Sequence, residues 1–121
     1  MSSRAWIKIY CAKVLNSDDI SADLSALGAW IKLLCIAGNS NFGDIGVIKI
    51  DENVGYTDKQ VGDLMKISCR QWRRYKDIFV TQERIQVTSK NIIIINNWRK
   101  YQSEYTRQKS YRQGYKPKLQ T

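Results

Sequence analysis

The sequence predicts an α+β domain, mainly helical, with a small antiparallel sheet and a C-terminal helix. Three observations carry that expectation. The stretch "SADLSALGAWIKLLCIAG" (21–38) repeats apolar residues at intervals of three and four, the spacing of one helix face. Two capping boxes follow in close succession, Thr57 with Gln60 and Ser68 with Gln71, each opening a short amphipathic segment. Two β-branched runs, at 85–87 and 92–95, then flank a polar turn.

At the N-terminus, "MSSRAWIKIYCAKVL" holds a short apolar run broken by Lys8 and Lys13. It lacks a secretory core, and no stretch approaches the ~20 apolar residues of a membrane span. A cytoplasmic protein without membrane contact is expected. The long helix follows, with Ile20, Leu24, Leu27, Ile31 and Leu34 as its stripe and Trp30, Leu33 and Ala37 widening it. Gly38-Asn39 supplies a stop, and "NSNFGDIG" is a loop. "GVIKID" (46–51) is short, β-branched and bounded by turn formers, so it reads as one strand.

Next comes a helix of about ten residues, capped by Thr57, with Val61, Leu64 and Met65 as its narrow apolar stripe. It ends near Lys66-Ile67. Ser68 then caps "CRQWRRYKDIFVTQ", about three residues further on, which is the spacing of a helix-turn-helix. Ile85 and Val87 alternate with polar residues, Ser89-Lys90-Asn91 makes a turn, and 92–95 returns as the second strand of a hairpin. Helix, strand, helix, helix, hairpin is the order of a winged helix-turn-helix, in which the first strand pairs with the hairpin. We expect that domain over 1–106. From Asn97 a last helix follows, with Trp98, Tyr101 and Tyr105 on one face, and 107–121 is expected to be a flexible basic extension.

Charge directs the search for function. The 121 residues hold 20 Lys+Arg against 11 Asp+Glu, a net charge of +9, and the pI is ≈ 9.6. Such an excess collects polyanions, and nucleic acid is the commonest. An acidic membrane surface or acidic protein would also satisfy it. On the second capped helix, Trp72, Tyr75 and Phe79 share one side, while Arg70 and Arg74 lie opposite with Arg73 on the flank. Lys76 falls on the core side. The expected duplex-contacting set is Lys66, Ser68, Arg70, Gln71, Arg73 and Arg74, with Lys90 and Asn91 at the tip of the wing. A solvated basic face is the competing reading of these cations. The tail interleaves tyrosines with Arg99, Lys100, Arg107, Lys109 and Arg112, a pattern that suits single strands. Its alternative is an aromatic stripe docked on the domain, which we favour for Trp98-Tyr101-Tyr105.

Catalysis and metal binding find no support. The chain has no histidine, no phosphate-cradling glycine loop, and carboxylates scattered as capping or solvated residues. Cys11, Cys35 and Cys69 are far apart and are expected to be reduced and buried. No cofactor, no metal and no enzymatic activity are expected.

Several stretches carry a family resemblance: "WIKIY", "AWIKLLCIAG", "GVIKIDENVGYTDKQVGDLM" and "NNWRKYQSEYTRQKSYRQ". From about Trp6 to Arg112 the chain resembles the N-terminal domain of phage replisome organisers, replication-initiation proteins of phages and prophages of Gram-positive bacteria. The resemblance implies a winged helix domain that binds duplex origin DNA and helps recruit the helicase-loading machinery, often as an oligomer. Implied partners are therefore origin duplex, replication proteins such as a helicase loader, and further copies of the chain, with single-stranded DNA added through the tail. The family pattern continues into a linker and C-terminal domain, so the chain is either the DNA-binding domain alone or a short member. A replisome interaction module and a phage transcriptional regulator of the same fold are the alternatives.

Overall fold

The computed structural model describes residues 3–16 and 23–102. Their elements are α1 (Cys11–Asn16), α2 (Leu24–Asn39), β1 (Val47–Ile48), α3 (Asp58–Met65), α4 (Cys69–Thr81), β2 (Ile85–Val87), β3 (Ile93–Ile95) and α5 (Trp98–Gln102). Helix therefore dominates, and the strands form one antiparallel sheet in the order β1-β3-β2. β3 is central: Ile94 faces Val47 on one side and Gln86 on the other. Among the described residues no helix is long and apolar enough to cross a membrane.

The sheet and three helices close over one core. Leu33 of α2, Ile48 of β1, Val61 and Met65 of α3, Trp72 and Phe79 of α4, and Ile85 and Ile93 of the hairpin are all fully buried. Trp30 meets Phe79 edge-on, with ring centroids 5.2 Å apart, a geometry favoured by the ring quadrupoles.

Several expectations are corrected. α2 begins at Leu24 because the Asp23 carboxylate accepts from Ser25 N at 3.0 Å and Ala26 N at 3.1 Å, an N-cap. It runs through Gly38 and Asn39, and Ser40 caps it instead. Its buried residues are Ala26, Ala29, Leu33, Leu34, Ala37 and Gly38, so Leu33, Leu34 and Ala37 are buried as predicted, whereas Leu24 is 77% exposed. The helix has two overlapping apolar sides. The alanine side lets the core elements approach closely, and Leu27, Ile31 and Leu34 line a groove under Ile9 and Val14 of the N-terminal segment. Ile20 of the predicted stripe lies outside the described residues.

In α3, Leu64 is 47% exposed, leaving Val61 and Met65 as the buried stripe. The first strand is only two residues long, and Asp51 closes an isolated bridge with Val54. α1 was not anticipated: none of its six residues is buried, so it leaves no apolar period to read. The cysteines are free as expected but none is buried. Cys11 opens α1, Cys35 lies on the outer side of α2, and Cys69 is the first residue of α4, where Cys11 and Cys35 are exposed and Cys69 half-buried.

Candidate nucleic-acid interface

The α3–α4 pair is built from its caps. Thr57 Oγ1 accepts from Gln60 N at 3.2 Å, and Gln60 Oε1 accepts in return from Thr57 N at 2.8 Å. Ser68 and Gln71 repeat the arrangement with both bonds at 3.0 Å. Lys66 adopts the left-handed conformation, φ 62°, that turns the chain between the helices. Lys32 of α2 donates to the Met65 carbonyl at 2.7 Å, a cation on the carbonyl end of α3. Of the predicted contact residues, Lys66 therefore shapes the turn, and the side-chain oxygens of Ser68 and Gln71 accept the bonds of the cap. All three remain exposed at least in part.

α4 divides as its helical wheel requires. Trp72, Tyr75 and Phe79 are buried; Arg70, Gln71, Arg73, Arg74 and Asp77 are exposed. The arginines then separate. The Arg70 side chain makes no hydrogen bond or ion pair among the described residues. Arg74 stands 3.8 Å from the Asp23 carboxylate, an open pair worth about 0–1 kcal/mol. Arg73 donates through Nε to Asp58 Oδ2 at 3.3 Å.

Asp58, in the first turn of α3, was missed as a site residue. Its Oδ1 also accepts from the buried Trp72 indole at 3.0 Å and from Lys76 Nζ at 2.8 Å. Burial works against the carboxylate's charge, but the bond and charge of Lys76, then the bonds from Arg73 and Trp72, outweigh it. The net effect holds the Asp58 carboxyl below its ordinary value. Lys76 is half-buried on the core side of α4, and its ammonium is held by Asp58 rather than reaching freely into water.

The turn of the β2–β3 hairpin is ordered by Thr88, whose Oγ1 accepts from Lys90 N and Ile92 N, both at 3.2 Å. Asn91 supplies the positive φ of 64°, which asparagine tolerates better than most residues. Gly55 donates to the Lys90 carbonyl at 2.9 Å, and a Cβ at Gly55 would overlap the Asn91 carbonyl and Ile92 nitrogen. Glycine is thus required where the segment entering α3 crosses the hairpin turn. That crossing places exposed Lys90 and Asn91 on a turn braced against the segment that leads into α3.

α5 belongs to a second bonded region. Trp98 is buried and its indole donates to the Gly43 carbonyl at 2.8 Å. Gln102, also buried, accepts from Lys8 N at 2.8 Å and donates to Lys8 O at 3.0 Å. Trp98 therefore docks as expected, while the side chain of Tyr101 and all of Tyr105 lie outside the described residues. Arg99 and Lys100 are exposed on α5 and are engaged in interactions there. Arg107, Lys109 and Arg112 lie outside the described residues, as does the whole expected extension.

These observations define a small basic α+β domain, mainly helical, with a capped helix pair set against a three-stranded antiparallel sheet. Family comparison places it more closely: the model of the N-terminal phage replisome organiser family matches residues 6–121. The chain belongs to that family, as the stretches around Trp6, Trp30 and Trp98 anticipated. Searches of curated proteins and of solved structures returned no match.

Proposed function

We propose that this domain is a winged helix-turn-helix that binds duplex DNA at a phage replication origin and helps assemble the helicase-loading machinery there. Family membership supports the replication role and replication-protein partners. One observation carries the DNA assignment. α4 begins at a capping box and presents Arg70, Arg73 and Arg74 on the face opposite its buried aromatics, the placement of a groove-reading helix. Its N-terminal N–H groups and dipole favour a phosphate nearby, and the +9 charge favours the encounter. Lys66 stands ahead of the helix, and Lys90 and Asn91 stand on the wing. The domain acts by binding rather than catalysis, a reading supported by a chain without histidine.

A second reading has its own observation. Arg73 and Arg74 already have carboxylate neighbours, as in a face that serves only solubility while another surface docks a replisome protein. A gel shift on duplex at two salt concentrations separates the readings. Replacing Arg70, Arg73 and Arg74 by Ala is expected to abolish the shift at the higher salt. If affinity is unchanged, while removal of 107–121 abolishes it, α4 is not the reader.

A further inference from the structure

We propose that Arg73, held by Asp58, is the base-reading arginine of the α4 face, and that Asp58 is the positioning residue that sets its specificity. The inference rests on the duplex-binding reading above and deepens it, because the exposed arginines of α4 are chemically unequal.

Phosphate and base edge ask different things of a guanidinium. A phosphate carries a full negative charge, so it rewards net positive charge and tolerates loose geometry. The O6 and N7 atoms of guanine are neutral acceptors that reward a fixed, planar pair of donors. A carboxylate beside an arginine weakens the first attraction and strengthens the second fit.

Arg73 has such a carboxylate. Its bond to Asp58 Oδ2 uses Nε, at 3.3 Å. The terminal amino groups, which form the fork that meets guanine, are not the donors of that bond. The side chain remains 63% exposed, so the fork is accessible. The acceptor is itself fixed. Asp58 is held in place by the Trp72 indole at 3.0 Å and Lys76 at 2.8 Å, and Trp72 is wholly buried. Arg73 therefore meets a carboxylate whose position the core already determines, which lowers the ordering cost of presenting its fork.

Arg70 is the contrast. It is exposed, and among the described residues no carboxylate pairs with it, so no such pair competes there with a phosphate. Arg74 is intermediate, since Asp23 lies 3.8 Å away and is itself 42% exposed.

The test uses the full 121-residue chain. Selection from a pool of random duplexes, followed by sequencing, is run on wild type, Arg73→Ala, Arg73→Lys, Asp58→Asn and Arg70→Ala. A salt titration on one selected duplex accompanies each. Wild type is expected to enrich a guanine at one position. Arg73→Ala and Arg73→Lys should both relax it by about 5- to 150-fold, the range of one lost bidentate contact. Arg73→Lys keeps the charge, so its salt slope should match wild type and its loss reports the guanidinium geometry, the fork together with the Nε bond to Asp58. Asp58→Asn keeps an acceptor for Trp72, and should relax the same position without lowering affinity for unselected duplex. Arg70→Ala should keep the preference and reduce the salt slope by about 1.

Arg73→Lys retaining the wild-type preference overturns the assignment of Arg73. An unchanged pool with Asp58→Asn overturns the role of Asp58. A wild type that binds duplex but enriches no position overturns this inference and leaves duplex binding standing. A wild type that binds no duplex removes the underlying reading as well.

Discussion

Asp58 is the residue on which α3 and α4 depend together. It accepts from an indole, a guanidinium and an ammonium of the neighbouring helix. Replacing it with Ala leaves the buried Trp72 N–H without its acceptor, an omission that costs about 1–3 kcal/mol, measurable by urea unfolding. Asp58→Asn should lose less, because its amide oxygen can still serve the indole. Acid has a defined direction here. The folded state holds the carboxyl below its ordinary value, so the unfolded chain binds that proton more readily. The resulting stability is complete above the unfolded carboxylate range and is lost as pH falls below about 4 through the folded value. The stability advantage of wild type over Asp58→Asn should therefore shrink between about pH 7 and about pH 3. An advantage that stays constant over that range contradicts the account. The sequence offered little sign of this residue. An Asp directly after an N-cap Thr reads as a partner for the helix dipole, and its three partners lie 14, 15 and 18 positions away, a separation only the packed helix pair closes.

At the scale of elements, short-range chemistry decides what can be read in advance. Both capping boxes and the turn of the hairpin were legible, because each rests on residues within four positions of one another, and the strands themselves were legible from their β-branched runs. Ser68→Ala should cost about 1 kcal/mol of stability, seen as a lower urea midpoint with an unchanged slope. Gly55→Ala tests a contact between elements. Its Cβ has no room beside the Asn91 backbone, so the substitution should destabilise by about 1–3 kcal/mol and shift the amide resonances of 88–92. Unperturbed resonances in the hairpin turn would show that the crossing is looser than described. The periodicity of 21–38 was only half informative. It announced a helix, but it could not say that Leu24 would be exposed while an alanine row entered the core, since size and neighbours choose between overlapping faces.

Across the whole molecule, two regions are joined through α2. One is the helix pair with its hairpin. The other ties the N-terminal segment to α5: Arg4 donates to the Gly43 and Gln102 carbonyls at 3.2 and 3.3 Å, and Gln102 pairs with the backbone of Lys8. Gly46 takes φ +66° under the Trp98 ring, where any Cβ would collide. Trp98→Ala should cost about 3–5 kcal/mol in thermal or urea unfolding and release the N-terminal segment. It should leave the α4 arginines where they are, so on the proposed reading the folded fraction is expected to bind duplex as wild type does. The N-terminal closure was not legible in the sequence, because a glutamine pairing with a backbone 94 positions away leaves no local pattern. The central claim is that the outward face of α4 and the wing meet duplex DNA together. Titrating the isotope-labelled chain with a short duplex and following its amide resonances tests it most directly. The account predicts shifts concentrated at Lys66–Arg74 and Lys90–Asn91; shifts confined to the groove between the N-terminal segment and α2 would contradict it.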